Sequence, residues 1–190
     1  YASAETVADF IQPIAAAAPN LPFFFYHIPP LTHSNINAVD LLRITSDPNS
    51  SHQVPTLCGI KFVSSNLTDW FFSVQGYNHS HVLLFAPEPK MASFALGRGR
   101  GVVLAEDFYA PSFLRMYASW LRGDSAAAFK EQAWKFQSEE VFRRFGGSAA
   151  KRLLYGTSFP ITRGKVDLGP PRLPAAPFDA SRRDALIEAL

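Results

Sequence analysis

Covalent chemistry in this 190-residue chain is most readily built on Lys61. It is the single charged side chain in residues 55–62, PTLCGIKF, whose Leu57, Cys58, Ile60 and Phe62 lack a helical period and read as one buried strand. A lysine placed where an apolar wall stops is desolvated, which favours the neutral amine and makes it a nucleophile toward a carbonyl carbon. The same place also suits a structural lysine that lays its methylenes along the wall and keeps its charge in water. A second feature has to decide between them. Cys58 reads as a small buried hydrophobe, since nothing near it in sequence is a base. His79 and His81 can face the same way from a strand, but two ligands without a third do not make a metal site. GRGRG at 97–101 lacks the strand before and helix after of a phosphate-binding loop and reads as a connection.

The elements that must position Lys61 follow from composition and periodicity. With 47% hydrophobic residues, 18 basic and 16 acidic side chains and a net charge of +2, the chain is globular, with no electrostatic footprint for nucleic acid. One cysteine excludes an internal disulfide, and no apolar run approaches the roughly 20 residues of a membrane span. The cytosol is the expected compartment. Sequons at Asn49, Asn66 and Asn78, with no leader sequence before them, read as chance matches.

An apolar stripe with Val7, Phe10, Ile11 and Ile14 predicts a helix over 3–18, kinked at Pro13. LPFFFY at 21–26 has no polar alternation, as expected of a strand covered on both faces. A helix over 38–44, the Lys61 strand, and a helix over 66–74 capped by Asn66 with Asp69 follow. Strands over 81–85 and 101–104 flank a helix over 88–96. Helices over 114–121, 125–145 and 182–190 complete the chain, with GPPRLP at 169–174 extended. Four strands alternating with helices predict a parallel sheet with its ligand site at the strand carboxyl ends. Those ends carry Tyr26 and His27, then Lys61, then Ala86 with Glu88, then Ala105 with Glu106 and Asp107.

These residues resemble the lysine-dependent aldolases of the N-acetylneuraminate lyase and dihydrodipicolinate synthase family. The resemblance rests on AAAAPNLPFFFYHIPPLT at 15–32, GIKF at 59–62 and GPPRLP at 169–174, with the last and YHIP pointing to the neuraminate branch. It implies an α/β fold that is part of a (β/α)₈ barrel: strands five to eight with their helices over 1–110, then a helical region over 111–190, together one incomplete domain. It implies that Lys61 is the Schiff-base lysine and Tyr26 the catalytic tyrosine, with sialic acid cleaved to pyruvate and N-acetylmannosamine. No cofactor, metal, nucleic acid or membrane is implied, and the family is usually a homotetramer.

The sequence departs from the family at the sugar-binding positions. A G-x-D-E stretch becomes Ala86, Pro87, Glu88 and Pro89; a glycine-serine pair becomes Leu104 and Ala105; and a hydroxyl residue two beyond the lysine becomes Val63. Val63, Ala86 and Glu88 are therefore the expected substrate-binding residues. The match begins after the family's fourth strand, which leaves the inner sheet face and two edges open. Two alternatives follow: an inactive half-barrel that binds or assembles, and a lyase for another 2-keto sugar acid. Glu106 and Asp107 lie where a substrate group is expected, with no mechanism assigned.

Overall fold

One parallel sheet carries the four expected strands in the order β1 (Phe23–His27), β2 (Leu57–Phe62), β3 (Val82–Phe85) and β4 (Gly101–Val102). The computed structural model describes residues 2–88, 90–97, 99–104, 109–147 and 179–190. It separates into two units, Tyr1–Ala105 and Glu106–Leu190.

In the first unit, α1 (Ala4–Ala16) starts at a capping box in which the Ser3 hydroxyl accepts from the Thr6 amide at 3.2 Å and the Ser3 amide donates to Thr6 Oγ1 at 2.8 Å. The helix runs on through Pro13. After β1 comes a short helix the sequence reading missed, α2 (Pro29–Thr32); Pro29 stands where a helix needs no amide donor, so the residue that ends the strand also opens the helix. Helices α3 (Ala38–Ser46), α4 (Leu67–Tyr77) and α5 (Met91–Ala95) occupy the remaining connections. The core lies between sheet and helices, with Ile60, Phe62, Leu83 and Phe85 packed beside Leu41, Leu42 and Trp70.

The expectation that β1 is covered on both faces is corrected by its exposure. Phe23, Phe25 and His27 point to the helices, while Phe24 and Tyr26 stay 43% and 47% exposed on the other face. No described element lies over that face to bury them, so the strand alternates in burial although its sequence does not alternate in polarity.

Asn66 caps α4 as expected, accepting from the Asp69 amide at 3.2 Å. The Asp69 carboxylate does something else. It reaches back some thirty residues and accepts from the amides of Ala38 at 2.7 Å and Val39 at 3.0 Å, closing the first turn of α3. Burial raises its pKa, against the lowering effect of those two amides. Asp69→Ala is expected to cost about 1–3 kcal/mol by leaving two helix amides without their acceptor, read as a lower denaturant midpoint at unchanged slope. Asp69→Asn, which keeps one acceptor oxygen, is expected to cost less.

The GRGRG segment is a connection, and its glycines have steric work. Gly99 sits at φ 58°, and a Cβ there would come within 2.6 Å of the Trp70 ring. The Arg100 guanidinium donates to the Asn78 carbonyl at 3.1 Å. Arg98 lies outside the described residues.

The second unit is a helical hairpin, α6 (Ala110–Leu121) and α7 (Ser125–Arg144), turned at Gly123 with φ 80°. Glu131 ties the pair by accepting from Ser112 at 2.6 Å and from Arg115 at 2.5 and 2.9 Å. A last helix, α8 (Arg183–Ala189), buries Leu186 with Tyr109, Val141 and Phe142.

Candidate active site

The parallel register fixes what stands beside Lys61. Tyr26 on β1 is its partner on one side and Leu84 on β3 its partner on the other, with Gly101 of β4 beyond. Period-two alternation puts all of them on the exposed face of the sheet, opposite the helices. The Lys61 ammonium lies over the Tyr26 ring, 4.1 Å from its centre. A cation at that distance is held by the negative face of the ring, a contact of about 0.5–1 kcal/mol at so exposed a place, which orients the amine across the sheet. Lys61 itself is half-buried: β2 buries Ile60 and Phe62 on the helix side, and the lysine stands on a face that the described residues leave open.

Below the pair, Phe24 lies across Gly59. A Cβ on Gly59 would come within 2.1 Å of the Val82 carbonyl oxygen and 2.7 Å of the Phe24 ring, so glycine is required both by the close approach of the β3 backbone and by the aromatic side chain laid across it. Sequence reading did not single out this pairing. Its signal is present as a glycine inside a strand pattern.

At the carboxyl ends the expected substrate residues are held by the sheet. The Val63 amide donates to the His27 carbonyl at 2.7 Å, and the Ala86 amide to the Phe62 carbonyl at 2.9 Å, which extends the ladder past β2 and β3. Val63 and Ala86 are half-buried. Glu88 is the one carboxylate of the expected set, and it faces Lys90, with Oε1 3.2 Å from the ammonium. Lys90 is buried, 4% exposed, and also donates to the Pro87 carbonyl at 3.2 Å and to the Ala86 carbonyl. The sequence reading missed Lys90. A lysine that follows Pro87 and Pro89, residues without a backbone N–H, is the signal it passed over, because the loop carbonyls and Glu88 then have few local donors. Ala105, Glu106, Asp107 and GPPRLP lie outside the described residues.

His27, next to Tyr26, points the opposite way. It is 1% exposed, between Phe25 and Phe62, and neither ring nitrogen has a hydrogen-bond partner among the described residues. Burial pushes its pKa down to about 4. The unfolded chain, with a histidine near 6.5, therefore binds the proton first as pH falls from about 6.5 to 4, and stability falls over that window by up to about 3 kcal/mol. His27→Leu is expected to flatten that part of a denaturation-midpoint profile while leaving its neutral end almost unchanged.

His81 is held by two serines. Its ring nitrogens face the hydroxyls of Ser46 at 3.3 Å and Ser80 at 2.9 Å. Among the described residues no three His, Cys, Asp or Glu side chains gather as metal ligands. Cys58, His79 and His81 line a cavity of about 610 Å³ that shares no residue with the Lys61 row. None of the described helices is long and apolar enough to cross a membrane.

No protein-family model matches the chain. N-acetylneuraminate lyase of Sus scrofa is 30% identical over 174 residues, 90% of this chain and 51% of that protein. The Homo sapiens N-acetylneuraminate lyase is 29% identical over the same shares. The chain thus spans about half the length of the curated relatives it matches. Among solved structures, N-acetylneuraminate lyase from Aliivibrio salmonicida superposes with a TM-score of 0.78 at 25% identity, over 98% of this chain and 59% of that one. A variant of 2-keto-3-deoxygluconate aldolase from Sulfolobus solfataricus reaches 0.74 at 17% identity, over 100% of this chain and 59% of that one. The sheet and its helices are a partial (β/α)₈ barrel, and its carboxyl-end face is where such barrels hold their sites.

Proposed function

Because this chain belongs to the N-acetylneuraminate lyase and dihydrodipicolinate synthase family, we propose that it supplies the reacting pair of a Schiff-base aldolase. The observation that carries this reading is the pairing of Tyr26 with Lys61, adjacent in register and 4.1 Å apart from ring centre to ammonium, on the open face of the sheet.

The chemistry runs as follows. The Lys61 amine adds to the ketone of a 4-hydroxy-2-oxo acid, water leaves, and a protonated imine joins substrate to protein. The C4 hydroxyl gives up its proton to the Tyr26 hydroxyl, which relays it onward. The C3–C4 bond breaks, its electron pair enters the imine to make an enamine, and the aldehyde departs. Protonation at C3 and addition of water release pyruvate and restore the amine. N-acetylneuraminate, the substrate in the relatives' name, would yield N-acetylmannosamine by this route. A homo-oligomer is part of the same reading.

Pyruvate with borohydride tests it. Reduction of the imine is expected to leave a pyruvate-derived adduct on the peptide containing Lys61 and on no other lysine peptide. An unmodified Lys61, or labelling spread over several lysines, would overturn the reading.

A second reading is favoured by the open face with its exposed Phe24: a module that assembles through that face without turning over substrate. Size-exclusion chromatography combined with the labelling separates the two. A stable oligomer without adduct supports assembly alone.

A further inference from the structure

The helical hairpin of the second unit carries a cavity of its own. Arg115, Ala118, Ser119 and Arg122 recur at i, i+3, i+4 and i+7 on α6 and its cap, and Ala127, Lys130, Glu131 and Trp134 repeat that spacing on α7. The two stripes enclose about 440 Å³, a volume in the range of small-molecule sites. Small side chains at 118, 119 and 127 leave the space, and long ones wall it. Every lining residue lies between 115 and 134, so the cavity is complete within one hairpin.

Its charges are unequal. Glu131, the one carboxylate of the lining, is taken up by Arg115 and Ser112. Arg122 donates from Nη2 to the hydroxyl of the buried Ser119 at 3.2 Å, and neither Arg122 nor Lys130 forms an ion pair with a carboxylate among the described residues. Trp134 packs at 78° to the Tyr109 ring, 5.9 Å between centres, yet stays 40% exposed. Covering this lining with an apolar element would desolvate two cations and give them no partner. An oxyanion supplies that partner, because an arginine fork takes two of its lone pairs in parallel and a lysine adds a point charge.

We propose that the α6–α7 cavity binds a small organic anion in which a carboxylate or phosphate, held by Arg122 and Lys130, is joined to a planar apolar ring that packs on Trp134. The site stands apart from the Lys61 chemistry and shares no residue with it.

Equilibrium dialysis of the chain against adenosine monophosphate, indole-3-acetate, adenosine and inorganic phosphate tests both halves of the ligand. At least one of the two aromatic anions is expected to bind, with adenosine and inorganic phosphate weaker by about tenfold or more. The tighter of the two anions tells phosphate from carboxylate. Arg122→Gln combined with Lys130→Gln is expected to weaken binding by about tenfold or more, while Arg143→Gln, a charge removed from an ion pair elsewhere on α7, leaves it unchanged. In NMR spectra the Trp134 indole N–H is expected to shift on binding. Binding of neither aromatic anion at millimolar concentration, equal binding of adenosine or inorganic phosphate, an equal loss in Arg143→Gln, or a shift at Trp70 or Trp120 alone overturns the proposal.

Discussion

Lys61→Met is expected to eliminate borohydride-trapped pyruvate and to lower 2-oxo acid cleavage on the order of 10⁴-fold or more, the scale on which removal of a covalent nucleophile acts. Methionine is close to lysine in length and packs along the same strand, so β2 keeps its burial pattern and the loss reports chemistry. Lys61→Arg sharpens the result. Arginine retains the positive charge over the Tyr26 ring but forms no imine with a ketone under these conditions, so it too is expected to be inactive. Activity within tenfold of the parent in either variant would show that the amine is not the nucleophile. Denaturant midpoints of both variants should remain near the parent's, because Lys61 is half-buried and its recorded contact is with one ring.

The second large effect belongs to Tyr26. Tyr26→Phe removes only the hydroxyl, leaving a ring face for the Lys61 ammonium, so the lysine keeps its orientation. If the hydroxyl relays the C4 proton, turnover falls by about 10²–10⁴-fold, while the pyruvate adduct at Lys61 still forms, since imine formation with pyruvate does not break the C3–C4 bond. Tyr26→Leu removes ring and hydroxyl together, and is expected to slow adduct formation as well as cleavage. A Tyr26→Phe protein that cleaves substrate at the parental rate would assign the relay to another group. A Tyr26→Phe protein that fails to form the adduct would make Tyr26 a residue that orients Lys61, with no part in proton transfer.

The two substitutions separate functions that the geometry joins. Tyr26 meets the Lys61 ammonium with its ring and is itself 47% exposed. On the proposed mechanism, orientation of the amine and movement of the proton would come from different parts of one side chain. The surrounding Phe24 is exposed, and Leu84, Val63 and Ala86 are half-buried.

What the sequence determined by itself were the features carried by neighbouring residues. Apolar runs of strand length at Phe23–His27, Leu57–Phe62 and Val82–Phe85, separated by helical stripes, require parallel strands, and parallel strands bring Tyr26, Lys61 and Ala86 to one end. The Asn66 cap was equally legible, because an N-cap and its partner amide are three residues apart. Tertiary structure alone decided the rest. That Asp69 closes α3 across some thirty residues, that Phe24 lies on Gly59, that Lys90 holds Glu88, and that only one face of β1 is covered are all results of which segments meet. Local periodicity records which way a side chain points along its own element. It carries no record of what the folded chain will place opposite.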